Sequence, residues 1–323
     1  MRWKWLRGRF VKLFNILVIF ILVIGCGKKN SQLTSEAIDV ALTHLSKEEC
    51  DEALKVLLKL DGEEENPIYI QVLASAYACK ADYKEINFLE DDLITLTTTS
   101  AVTIMTSLTK MTMSSQTEAD SDDYVSILKG INTLLGATYG TPGQLARNQK
   151  FGIRRASYLG IQALLLQLVN LGKFLHFYGN VNNTGSKGQG GNTNTCFLNY
   201  THFDATILIN AGLGGICNTT NDGHPDLDLS SSDGKRRACE GVVLVANIID
   251  IIDNLELGEN NDLKVLEDFS EEINIFLDIA EQDGLGQFVT MTSQSDCETA
   301  LNSASNLDDL QTYFVLIFEK GLQ

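Results

Sequence analysis

The sequence predicts an all-α chain, with helix pairs at the N-terminal end followed by an irregular helical bundle with long loops. Three observations carry this expectation. Apolar residues recur at helical rather than alternating spacing along most of the 323 residues. Only three prolines occur, at 67, 142 and 225, so few segments are barred from helix. No Asn-Gly turn joins two alternating runs, the pattern that would mark a hairpin.

The chain opens with Arg2, Lys4, Arg7, Arg9 and Lys12 and no acid, then an apolar run from Leu13 to Gly25 broken only by Asn15. A basic segment, a short apolar core and small residues at a cut site form the signal-peptide pattern. The core is shorter than the roughly 20 apolar residues of a spanning helix. Val23-Ile24-Gly25-Cys26 resembles the lipobox of bacterial lipoproteins. The resemblance implies that residues 1–25 are removed, that Cys26 carries a diacylglycerol on sulfur, and that the new amino group is often acylated. An uncleaved membrane anchor fits the same residues. No aspartate follows Cys26, a pattern that resembles sorting to the outer membrane, the inner or single membrane being the alternative. Residues 26–35 then read as a polar, flexible tether.

Loss of the five leader cations moves the net charge from −17 to −22. So acidic a body argues against nucleic acid and against docking flat on anionic lipid. Reserving Cys26 for lipid leaves Cys50, Cys79, Cys196, Cys217, Cys239 and Cys297, an even set that fits disulfides in an exported chain. None lies in a C-x-x-C pair, which argues against a zinc knuckle.

Residues 36–98 read as four helices: Glu36–Leu45, a second from near Lys47, a third capped by Asn66 with Pro67 in its first turn, and a fourth from near Tyr83. Cys50-Asp51-Glu52-Ala53 matches Tyr83-Lys84-Glu85-Ile86, and Leu73-Ala74-Ser75-Ala76-Tyr77 with Ala81-Asp82-Tyr83 resembles the tetratricopeptide pattern. The resemblance implies paired antiparallel helices; an ordinary helical bundle fits the same residues. Cys50 opens the second helix and Cys79 lies late in the third, so a Cys50–Cys79 bond is expected. Cys196, Cys217, Cys239 and Cys297 then pair among themselves in an order the sequence leaves open.

The rest, 99–323, reads as a helical domain. Residues 95–123 are rich in Thr, Ser and Met, with a helix expected over Ala101–Met113 between connectors. Asp122 and Asp123 suit the start of a helix running from Tyr124 to Leu135. Ala156 to Gly172 carries no charge and reads as a buried central helix, a membrane span being the alternative. Gly179–Thr195, rich in Gly, Asn, Thr and Ser, reads as a long mobile loop. Helices are expected at 200–213, 238–257, 263–281 and 307–318. The β-branched run Val242–Ile252 admits a strand, but Asn247, Asp250 and Asn254 recur at helical spacing.

Chemistry-bearing motifs are sparse. Asn221-Asp222-Gly223-His224-Pro225-Asp226-Leu227-Asp228 resembles a thrombospondin type 3 calcium repeat, which implies Asp222, Asp226 and Asp228 as carboxylate ligands. Asn218 and Thr220 stand where that family has aspartates, and a plain Asp/Gly/Pro turn explains the same residues. His44, His176, His202 and His224 lack metal-ligand spacing, Gly212–Gly215 lacks the lysine of a phosphate loop, and no nucleophile motif is present. No catalytic residue is singled out. The expected function is a lipid-anchored structural or protein-interaction module with a protein partner; the alternative is a small-molecule or calcium-binding module using 179–228.

Overall fold

The computed structural model describes residues 30–60, 63, 65–93, 101–136, 143–200, 212, 217, 222–255 and 285–322. Cys26, the leader, His202, the helix expected at 200–213 except Tyr200 and Gly212, and the helix expected at 263–281 lie outside the described residues. Twelve α-helices and no strand occur among the described residues, apart from a single parallel bridge between Cys196 and Gly223.

Helices α1 (Asn30–Leu45), α2 (Cys50–Leu57) and α3 (Pro67–Lys80) build a small core from Ile38, Ala41, Leu54, Leu57, Tyr69 and Val72, among others. Helix α1 starts at Asn30, so the expected tether to Ser35 is shorter than its composition indicates. Thr34 is buried and donates 2.6 Å to Glu63, which draws these polar residues into the helix. Helix α2 starts at Cys50 rather than near Lys47, because Glu48 takes a left-handed φ of 60° that helix cannot hold. Asn66 caps α3 as expected, its side chain accepting from the Ile68 and Tyr69 N–H groups, and Pro67 occupies the first turn where no N–H is needed. Cys50 is bonded to Cys79 with Cα atoms 5.5 Å apart, so α2 and α3 run antiparallel.

Helix α3 is apolar on two sides. Tyr69, Val72, Leu73 and Ala76 face the small core, while Ile70, Ala74 and Ala78 belong to the main core. Helix α4 (Glu85–Asn87) follows and runs into a π-turn at Phe88–Asp92. Helix α5 is Ala101–Thr109, and α6 (Asp122–Leu135) packs against both α3 and the central helix. Gly130 makes the α3–α6 approach possible, since a Cβ there would stand 3.3 Å from the Ala74 carbonyl.

Helix α7 (Gln144–Phe151) leads through Gly152, at φ 77°, into α8 (Ile153–Tyr178). Helix α8 is long and apolar enough to cross a membrane, yet 83% of its apolar window is buried by the surrounding helices. That is the packing of a core helix, and its charge-free stretch needs no lipid to explain it. Lys173 is its one deeply buried cation and is ion-paired with Asp123 on α6. Burial opposes ionisation of Asp123, but the bond and charge of Lys173, with the Ser121 hydroxyl and the Tyr124 N–H, together outweigh it and hold the carboxyl below its ordinary value.

Helix α9 (Ser232–Asn254) crosses α8, and Gly241 sits where the Phe174 ring presses in; a Cβ there would lie 2.5 Å from the ring. Its helical spacing of polar residues has a structural meaning. Asn247 donates to the Thr292 carbonyl, Asp250 accepts the Gln144 N–H that opens α7, and Asn254 bonds back to Asp250. Helices α10 (Gly286–Val289), α11 (Gln294–Ala300) and α12 (Ala304–Phe314) close the fold, α12 ending in a π-turn at Val315–Glu319. Cys239–Cys297 ties α9 to α11, and Cys196–Cys217 is the third bond.

A candidate binding cleft at the end of the central helix

Residues 179–195 do not behave as their composition indicates. The side chains of Asn180, Asn182, Asn192 and Asn194 bond to backbone groups, so the loop is internally bonded rather than loose. Asn180 takes a left-handed φ of 49°, tolerable for asparagine, and turns the chain off α8. Its side chain donates to the Asn192 and Asn194 carbonyls at 2.9 and 2.7 Å and accepts from the Asn192 N–H at 2.9 Å. Asn182 accepts from the Thr184 and Ser186 N–H groups, and Asn194 donates to the Tyr178 and Cys196 carbonyls at 2.9 Å each.

The loop is also fastened to the C-terminus. Lys187 is ion-paired with Glu319, which is fully buried. The other Glu319 oxygen accepts from the Phe197 N–H at 2.8 Å and the Tyr200 hydroxyl at 2.6 Å. Both oxygens of this buried carboxylate therefore have donors, one of them charged.

Between this loop, the last turn of α8 and residues 115–117 lies a cleft of about 600 Å³. Its lining includes Gln116, His176, Asn182, Thr184, Gln189 and Asn192, with Phe177 as the aromatic member and no charged side chain. Two polar atoms of its lining residues, both buried in the wall, have no partner among the described residues: the Gln116 Oε1 and the His176 Nδ1. The Gln116 amide nitrogen is fixed by the Glu118 and Ala119 carbonyls at 2.6 and 3.1 Å, which orients the free oxygen. Burial, with help from Lys173, lowers the His176 pKa, so its imidazole is neutral at pH 7.

Behind the cleft, His224 is buried against Phe177 and Tyr178, with ring centroids 4.6 and 5.1 Å away. Its Nδ1 accepts the Asp226 N–H at 3.2 Å, and its Nε2 lies 3.2 Å from the Asn192 amide. Burial pushes its pKa down to about 4.

The structure does not gather the three carboxylates of the calcium-like segment. Asp222 uses its backbone carbonyl to hold the Thr195 and Cys196 N–H groups at 3.0 and 2.9 Å. The Asp226 carboxylate stands 3.7 Å from Arg237, and Asp228 caps the Ser230 N–H and hydroxyl. Among the described residues the one close cluster of potential metal ligands is Cys196, Cys217 and Glu319. Its sulfurs are joined to each other and its carboxylate is spent on Lys187, so it holds no free ligand set. His44 lies far along the chain in α1, 2.6 Å from Glu49.

Sequence reasoning located the loop but not Gln116 or His176, which the fold brings to it from other elements. No family model, curated protein or solved structure matches the chain.

Proposed function

We propose that the chain is an extracytoplasmic lipoprotein, held through lipid on Cys26 at the outer membrane of a two-membrane cell, whose folded body binds a small neutral ligand in the cleft at the end of α8. The observation that carries the binding role is that one uncharged, hydrogen-bonded cleft is lined by two residues, Gln116 and His176, whose Oε1 and Nδ1 have no partner among the described residues. Amides, hydroxyls and a neutral imidazole supply both donors and acceptors. A charged ligand would shed its hydration there without meeting a counter-charge, so the chemistry favours a hydroxyl-rich, uncharged molecule such as an oligosaccharide. Support for export is that the six cysteines other than Cys26 are all joined in pairs.

Two experiments test the reading. Metabolic labelling with an alkyne fatty acid is expected to mark the wild-type chain and not Cys26→Ala; equal labelling overturns the anchor. Calorimetry with neutral oligosaccharides and matched uronates is expected to register the neutral set alone, and to lose that signal in Gln116→Leu. Binding that survives Gln116→Leu, or no binding by any neutral sugar, overturns the cleft.

A second reading, a protein-interaction module, has its own support. Of the ten large apolar side chains exposed among the described residues, seven (Leu33, Val40, Leu42, Leu58, Ile68, Ile86 and Leu89) belong to the N-terminal helical unit. Exposed apolar surface concentrated on one unit favours a protein partner there, as the tetratricopeptide resemblance of residues 36–98 also implies. Pull-down with the lipid-anchored protein is expected to retrieve a partner that Leu33→Glu/Val40→Glu loses; retrieval no better than Cys26→Ala refutes it.

A further inference from the structure

We infer that a second cavity, enclosed by α6, α8, α9 and the start of α11, is a binding site for a small, largely apolar molecule that carries an amide. It rests on neither the lipid anchor nor the cleft at the end of α8. The cavity is about 560 Å³; Leu128, Ile131 and Leu135 from α6 and Val243 and Leu244 from α9 form its aliphatic side, and polar residues, Arg236, Glu240, Asn247, Gln294 and Glu298 among them, complete the walls. Such a space with a few convergent polar groups is the usual form of a small-molecule site.

The polar groups at the cavity differ in one respect. Asn247 donates to the Val243 and Thr292 carbonyls at 2.9 Å each. Gln294 donates to the Arg236 carbonyl at 2.9 Å and to Glu298 at 2.7 Å. Glu240 is ion-paired with Arg236 and accepts from the Tyr124 hydroxyl at 3.2 Å. Gln167, on α8, is fully buried and lines the cavity, yet neither its Oε1 nor its Nε2 has a partner among the described residues. A buried amide with both atoms unmatched is costly, and a molecule that enters the cavity and matches both would recover that cost. The complement of a primary amide's adjacent donor and acceptor is another amide, whose N–H and C=O close a two-bond ring with it.

The walls are held in place. Cys239–Cys297 joins α9 to α11 immediately beside Glu240 and Glu298, and α6 is locked to α8 by Lys173 and Asp123. A preformed cavity orders few groups on binding, which favours affinity for a small ligand.

The probes are benzamide and acetophenone, an aromatic ring carrying respectively an amide and a ketone of similar shape. Acetophenone is the more hydrophobic, so shape and apolar burial alone favour it. Titrations of the purified protein followed by NMR are expected to give benzamide roughly tenfold tighter binding, the order set by the net contribution of one buried hydrogen bond. The Gln167 side-chain amide resonance, identified by its loss in Gln167→Leu, is expected to shift with benzamide. In Gln167→Leu the preference is expected to disappear while acetophenone binding persists. Val243→Trp, which fills the cavity and keeps Gln167, is expected to abolish binding of both probes. The inference is overturned if acetophenone binds as well as benzamide to the wild-type chain, if neither probe binds, or if Val243→Trp leaves binding intact.

Discussion

His224 gives the sharpest pH-dependent prediction. Its pKa is about 4 in the folded chain, against 6.5 for an unperturbed histidine. Burial is the main cause; Arg237 adds to it and the Asp226 carboxylate opposes both. The geometry gives a second reason, because its Nδ1 accepts the Asp226 N–H and a proton placed there would confront that donor. Above pH 6.5 the imidazole is neutral folded or unfolded and contributes full stability. As pH falls below 6.5 the unfolded chain takes up a proton that the folded chain refuses until about pH 4. Stability therefore falls across this window, and at about 1.4 kcal/mol per pH unit the loss approaches ~3 kcal/mol by pH 4. The assay is urea unfolding of wild type and His224→Gln at pH 7.5 and pH 4. Carboxylates also titrate here, but they do so in both proteins, so the difference between the two pH-induced losses isolates His224. Wild type is expected to lose about 3 kcal/mol more than the variant. Equal losses would refute the claim that this imidazole is kept neutral by burial.

Other perturbations follow from the same geometry. Lys187→Met leaves Glu319 charged and buried without its cation, and denaturant unfolding is expected to show a loss of about 3–5 kcal/mol, partly recovered in Lys187→Met/Glu319→Gln. Gly241→Ala drives a methyl into the Phe174 ring and is expected to cost about 1–3 kcal/mol by the same measurement. Cys239→Ser/Cys297→Ser releases α11 from α9 and is expected to lower stability by roughly 2–4 kcal/mol. Calcium would have to draw Asp226 from Arg237 and Asp228 from Ser230, so calorimetry at millimolar calcium is expected to show no binding heat.

What the sequence disclosed depends on which residues carry the signal. The central helix was legible because no charge interrupts residues 156–172, and only burial or lipid explains such a run. Helix α9 was legible despite its β-branched residues because Asn247, Asp250 and Asn254 sit on one helical stripe, which the structure uses for Thr292 and Gln144. The Asn66–Pro67 cap and the Cys50–Cys79 pair follow from local geometry alone. Lys173 and Glu319 were not legible as core residues, since a charged side chain reads as solvated until its partner, 50 or 132 residues away, is in place. The loop at 179–195 misled for a related reason. Asparagine and glycine mark a loose loop and a tightly self-bonded one alike, and only the positions of the acceptors distinguish them. The pairing of the remaining four cysteines admits three arrangements by counting, and the order Cys196–Cys217 and Cys239–Cys297 needed the fold.

The early start of α1 bears on how the two proposed roles relate. Only Gly27, Lys28 and Lys29 separate Cys26 from Asn30, a span of at most about 14 Å even when fully extended. A lipid on Cys26 would therefore hold the α1–α3 unit close to the headgroups. The acidic body, repelled by anionic lipid, would stand off the surface rather than lie along it. The exposed apolar side chains of α1 to α4 would then meet a membrane-bound partner first. Helix α3 makes that unit continuous with the rest, because one of its faces closes the small core and the other packs against α6. Helix α6 in turn grips α8, whose last turn forms the cleft and whose Gln167 faces the second cavity. A protein contact at the N-terminal unit and a ligand on α8 thus share one packed path of three helices. If both roles hold, each must bias the other through α3 and α6 to whatever extent that path has two arrangements, because coupling between sites is reciprocal.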